Sequence, residues 1–233
     1  MNKMSILIKK SVAGFRDMAD LSQSEPIKTH SLLLKLNIVA VFRPLSENFS
    51  GAAIKSGDSK FILINSSHSL GRQNFTIVHE LYHLYVEEDF IPHRCLTGAF
   101  NRVSETEYLA DSFSANLLMP ESGILDIIPG KELGLNKITN GTLLKIGQFF
   151  GVSHLALLFR LKELGLINKA FIEQNKNDIT DIARRYGFDI SLYLPANHGL
   201  VIGDYGILAN NLLQSGKISE SHFSELMNSL YSE

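Results

Sequence analysis

The sequence predicts an α+β fold: a small β-sheet packed with two functional helices, followed by a helix-turn-helix-like pair and a mostly helical tail. Three observations predict it. Residues 38 to 65 hold three short runs rich in apolar and β-branched residues, divided by turn formers. Residues 71–86 and 104–119 repeat apolar side chains at helical spacing. After a Gly-rich passage (Gly123, Gly130, Gly134, Gly141) the pattern becomes that of compact helices.

The elements follow in order. Residues 5–21 read as a helix with Ile8, Val12, Phe15 and either Met18 or Ala19 on one stripe. A short helix at 29–36 follows Pro26. Ile38 to Phe42 is a continuous apolar run before Pro44 and reads as a strand; Gly51–Lys55 and Lys60–Asn65 read as two more, joined by Ser56-Gly57-Asp58-Ser59. The three imply an antiparallel or mixed sheet. Ser66, Ser67 and Ser69 offer N-caps for the helix at 71–86. Its Phe75, Ile77, Val78, Leu81, Tyr82, Leu84 and Tyr85 surround most of the cylinder, which predicts a central, buried helix. Residues 87–103, with Pro92 and Gly98, read as an irregular cleft wall. Ser104 opens a helix that stops at Pro120, anchored by Ala110, Phe113 and Leu117.

Leu143 to Ile167 reads as two helices turning at Gly151-Val152-Ser153. Ile146, Phe150, Val152 and Leu157 are its expected core, Gly147 the small residue for close helix crossing, and Leu164-Gly165 the C-cap. The tail from 171 ends in two helices, one closing at Gly216 and one opening at Ser219 with Glu220 in its first turn. The expected division is 1–130, 131–170 and 171–233.

Composition narrows the function classes. A net charge of −2 argues against a protein devoted to neutralising phosphates. Cys95 is the only cysteine, so no intrachain disulfide can form. The apolar run Ser5–Ile8 is too short for a signal-peptide core, and no stretch approaches the roughly 18 apolar residues of a membrane span. A cytoplasmic protein without membrane attachment is expected.

The chemistry concentrates at His79-Glu80-Leu81-Tyr82-His83. On a helix, residues i and i+4 share a face, so two imidazoles can hold one metal ion while the adjacent Glu80 acts as general base. The bland alternative is two core or solvated histidines. A catalytic zinc wants a third protein ligand. Val86 and Asp89 exclude the extended motif with a nearby histidine. Glu107 is the expected ligand, with Asp111 four residues later placed to accept the outer N–H of a metal-bound imidazole. Against this, Ser104-x-x-Glu107 is also a capping box, and Glu105 is the fallback ligand. Tyr108, His93 and His68 are candidates for a second oxyanion donor. Cys95, between the two blocks, is either a plain free thiol or a cap on the metal.

The block Phe75-Thr-Ile-Val-His-Glu-Leu-Tyr-His83 and the block Glu107-Tyr-Leu-Ala-Asp-Ser-Phe-Ser-Ala-Asn-Leu-Leu-Met-Pro120 resemble the ImmA/IrrE metallo-endopeptidases, and Val152–Ile167 resembles the segment that follows in that family. Tyr82 stands where glycine is frequent, and Asp111 where Asn is common. The resemblance implies His79, His83 and Glu107 as zinc ligands (Mn2+ is also accepted by such sites) and Glu80 as general base. It implies an intracellular protease that cuts a helix-turn-helix repressor of a prophage, mobile element or stress regulon, encoded nearby. The alternative is a DNA-binding or repressor-sequestering regulator with a vestigial peptidase domain. Lys145, Arg160 and Lys162 are the only basic groups of the helical pair, and its second helix is expected to expose His154 and apolar residues, so packing or docking is expected there rather than base reading. The oligomeric state stays open.

Overall fold

The computed structural model describes residues 3–88, Cys95 and residues 104–229. In chain order the elements are α1 (Lys3–Met18), α2 (Thr29–Lys35), β1 (Ile38–Arg43), β2 (Gly51–Ser56), β3 (Ser59–Asn65), α3 (Leu70–Tyr85), α4 (Glu105–Leu118), α5 (Glu121–Ile127), α6 (Asn140–Phe150), α7 (His154–Glu163), α8 (Lys169–Asn175), α9 (Ile179–Arg185), β4 (Val201–Ile202), α10 (Tyr205–Gln214) and α11 (Glu220–Ser229). The fold is α+β.

The sheet is mixed, in the order β2-β3-β1-β4. β1 runs parallel to β3, from Ile38 opposite Lys60 to Arg43 opposite Asn65. β2 and β3 form an antiparallel hairpin over Gly57, whose φ of 57° is one that glycine adopts without strain. β1 lies inside the sheet with Ile38, Ala40, Val41 and Phe42 all buried. That explains its unbroken apolar run, since a strand covered on both faces loses the alternation of a half-exposed one. The two-residue β4, which brings the tail back against β1, is too short to show a period and was not expected.

α3 crosses the sheet, and its residues Phe75 to Leu84 are all buried. Ser69 takes the N-cap position without a side-chain hydrogen bond, so the expected serine cap is absent. Gln73 holds the entry instead: its amide donates to the carbonyls of Ser66, His68 and Ala196 and accepts from Asn197. On α1, Ile8 and Phe15 are buried, as is Ala19 just past its end, whereas Met18 is exposed. Arg16, unremarkable in the sequence, is buried and donates to the carbonyls of Ser22 and Leu117. Arg160 likewise donates to Met119 O at 3.1 Å. Two cations from distant segments thus satisfy carbonyls at the end of α4, whose own last turn carries no basic residue.

α6 and α7 meet at 105° through Gly151, in left-handed conformation at φ 63°. Ile146, Phe150, Val152 and Leu157 are buried as expected. Gly147 is not the close-approach residue: a methyl there would meet nothing nearer than 3.8 Å. The tight crossing is at Gly71 on α3, where a methyl would fall 2.6 Å from Ser153 N. The α6–α7 turn therefore sits on the start of α3. His154 is also not exposed; it is buried, with Nε2 at 2.7 Å from Asn175 O. Ala156, Leu157, Leu158, Arg160 and Leu161 are buried with it, so α7 is spent on packing. None of the described helices is long and apolar enough by itself to cross a membrane.

His154 makes acid sensitivity testable. Burial lowers its pKa below the usual histidine value, outweighing the hydrogen bond to Asn175. As pH falls below the unfolded value of about 6.5, the unfolded chain binds a proton that the folded chain refuses. Stability from this group is complete above that pH and is lost progressively below it. His154→Gln, which keeps a donor for Asn175 O, is expected to melt with a smaller drop in Tm between pH 7.5 and 5.5 than the wild type. Equal drops would show that His154 is not the group responsible.

Candidate metal centre

α3 places His79 and His83 one turn apart on the face turned toward α4, where both are buried. Their Nε2 atoms are 3.2 Å apart. Glu107 enters from the first turn of α4, with Oε2 at 3.3 Å from His79 Nε2 and Oε1 at 3.4 Å from His83 Nε2. The competing capping role is resolved by a division of labour within one residue. Ser104 Oγ accepts from the Glu107 backbone N–H, while the carboxylate turns to the imidazoles. Glu105 is exposed and outside the cluster.

The outer nitrogens are also held. His79 Nδ1 lies 3.0 Å from Asp111 Oδ1, the pairing expected from the sequence. His83 Nδ1 lies 2.7 Å from Glu87 Oε2, which sequence reasoning missed. Each carboxylate favours the tautomer that protonates Nδ1 and leaves the Nε2 lone pair facing Glu107. Tyr82 packs on Phe113, with ring centroids 5.5 Å apart, and its ring lies edge-on to His83 at 5.6 Å. It buttresses that imidazole rather than blocking the cluster.

Glu80 is fully buried, and neither carboxylate oxygen has a hydrogen-bond partner among the described residues. Burial pushes its pKa up, with His79, His83 and the nearby Cys95 thiol pulling it partly back, although the thiol does not reach hydrogen-bond geometry. For His79, burial works against the charged form, but Asp111, Cys95, Glu107 and the charge of Glu80 together raise its pKa well above the usual histidine value. The pocket thus favours positive charge between the imidazoles and the carboxylates.

Cys95 joins the cluster. Its Sγ is 4.0 Å from Glu107 Oε1, and His79, His83, Cys95 and Glu107 each offer a ligand atom within 4.8 Å of the others. Burial raises the thiol to about 12. Of the other candidates, His68 is buried with Nε2 3.2 Å from Glu47 O, and Tyr108 lines a groove with Ser112, Phe159, Lys162 and Glu163. His93, and most of the expected cleft wall at 87–103, lie outside the described residues.

These residues fit a divalent metal. Two ligand atoms on a tetrahedral ion at bond lengths of about 2.0–2.1 Å stand about 3.3 Å apart. The three measured separations of 3.2, 3.3 and 3.4 Å form that triangle. An unpartnered buried carboxylate beside them is costly unless something hydrogen-bonds to it, and water brought by the metal is a suitable donor. Comparison with protein families gives one match: the profile of the IrrE N-terminal-like domain, peptidase M78, covers residues 34–162, more than half of the chain. Comparison with curated proteins gives none.

Proposed function

The chain belongs to the IrrE N-terminal-like peptidase family, and from that premise we propose that it is a zinc-dependent endopeptidase of the gluzincin type. Its proposed substrate is a helix-turn-helix transcriptional repressor of a prophage, mobile element or stress regulon, whose cleavage relieves repression. The observation that carries the enzymatic part is the triangle of His79, His83 and Glu107 beside an unpartnered Glu80. The repressor substrate rests on the resemblance of the two motif blocks to the ImmA/IrrE peptidases.

His79, His83 and Glu107 would hold the ion. A zinc ion there supplies Lewis acidity, which acidifies water and polarises the scissile carbonyl. The rest is done by the protein. Asp111 and Glu87 keep the two Nε2 lone pairs available by accepting the Nδ1 protons. Glu80 takes a proton from the attacking water and returns it to the leaving amine; a carboxylate whose pKa burial has raised suits both transfers. The burial of α7 favours a packing or docking role for the helical pair over reading of base edges, so the regulation proposed here works through proteolysis rather than direct DNA contact.

The test uses the purified protein with the repressor whose gene lies beside its own, followed by intact mass. We expect two fragments whose masses sum to the repressor plus one water, from the wild type or, where its Cys95 closes the metal centre, from Cys95→Ser. A chelator should abolish them and added zinc restore them. Cleavage that persists at full rate after the chelator has removed all metal would end the metallopeptidase reading. An intact repressor alongside zinc-dependent cleavage of other proteins would end the substrate assignment alone.

A further inference from the structure

Cys95 is held in place by its backbone as well as placed by its side chain. Its N–H donates to Gly51 O and its carbonyl accepts from Ser50 N, both at 2.9 Å, forming an antiparallel bridge to Gly51. Gly51 opens β2, the edge strand on that side of the sheet. This edge is where an extended peptide would add as a further strand. It also lies against the catalytic cluster, since a methyl on Gly51 would fall 2.9 Å from Glu80 Oε1. The chain therefore fills with its own residue 95 the edge beside the chemistry.

We propose that Cys95 is a fourth metal ligand and an internal cap: its sulfur takes the coordination position that the attacking water and the substrate need, and its backbone takes the strand edge. This rests on the metallopeptidase reading above. Three features support it. The thiol is within reach of both imidazoles and Glu107, all four being candidate ligands of one ion. The separation of 4.0 Å from Glu107 Oε1 compares with about 3.6 Å for a sulfur–oxygen edge on tetrahedral zinc, so that edge is within a few tenths of an ångström of ligand spacing. Glu80, fully buried and without a hydrogen bond of normal geometry among the described residues, lies beside the same space. On coordination the thiol gives up its proton to solvent, and no oxidant is involved. A site with four protein ligands is closed in the manner of a structural zinc centre, whereas a working centre keeps one position open. The protein is thus latent until Cys95 leaves, which breaks, among the described residues, two backbone hydrogen bonds, together with the metal–sulfur bond.

Cys95 is the only cysteine, so a thiolate signal at the metal has one source. X-ray absorption on the full chain loaded with one equivalent of zinc should show a sulfur neighbour at about 2.3 Å beside nitrogen and oxygen neighbours at about 2.0–2.2 Å. In Cys95→Ser the sulfur shell should vanish while one zinc per chain is retained. Affinity in chelator competition should fall at least as far as the roughly 10–100-fold that loss of an outer partner costs. Cobalt in place of zinc should give a sulfur-to-metal charge-transfer band in the wild type only. One bound zinc with nitrogen and oxygen neighbours alone in the wild type would overturn the cap and leave the metallopeptidase reading standing. Failure of both proteins to bind zinc would overturn the cap together with the reading beneath it.

Discussion

Glu80→Gln is expected to lower kcat by about 10²–10⁴-fold, the usual contribution of a positioned general base, and to leave one metal ion per chain in place. Glutamine matches glutamate in shape, so the contacts with Gly51 and α3 survive. What disappears is the capacity to accept a proton. The carboxylate is fully buried and unpartnered, and glutamine is the easier side chain to bury there, so stability should hold or rise slightly. That combination separates catalysis from architecture: a structural role would show as a lower Tm with turnover largely kept. The comparison belongs in the wild-type background and again with Cys95→Ser, so that latency does not hide the difference. Turnover by Glu80→Gln at the rate of its parent, in both backgrounds, would remove Glu80 from the proton path.

Much of this site was legible because helical spacing is local. His79 and His83 share a face whatever else the chain does, and Glu107 and Asp111 share one on the next helix. The α+β class was legible for a similar reason, since turn residues between short apolar runs need no long-range information. What escaped was long-range or irregular. Glu87 lies four residues beyond His83 but past the end of α3, so helical spacing did not promise a shared face. The tight exit, with Val86 and Glu87 both donating to Tyr82 O, brings it there. Arg16, Gln73 and Arg160 form specific bonds to distant carbonyls that leave no periodic trace. The position of Cys95 depends on a bridge across 44 residues to Gly51, and the sequence alone favours a plain free thiol over a metal cap. Gly147 and Gly71 illustrate the same limit. A glycine in an apolar helix looks like a crossing point, yet which one is crossed depends on what the fold brings beside it.

Gly51→Ala is the second substitution with a large expected effect, and it acts at a distance of one methyl group. That methyl would lie 2.6 Å from Thr76 Cγ2, 2.9 Å from Glu80 Oε1 and 3.0 Å from Leu63 O. Leu63 O is backbone of the neighbouring strand, and Thr76 is buried on α3, so neither yields easily; the Glu80 carboxylate, at the end of a flexible side chain, yields first. Overpacking of this kind costs about 1–3 kcal/mol of stability, read as a lower Tm. The catalytic cost should be larger in proportion, because displacing a reacting group by about 1 Å can cost about 10²-fold in rate. None of the three atoms nearest to the added methyl belongs to His79, His83 or Glu107, so one metal ion per chain is expected to stay bound. The expected pattern is a fall in kcat with metal content intact, most of it absent when the same substitution is made on Glu80→Gln, where no base remains to misplace. If the two changes instead multiplied their effects on kcat, Gly51 would act through the fold at large, and the close packing of β2 on the catalytic carboxylate would not be what positions it.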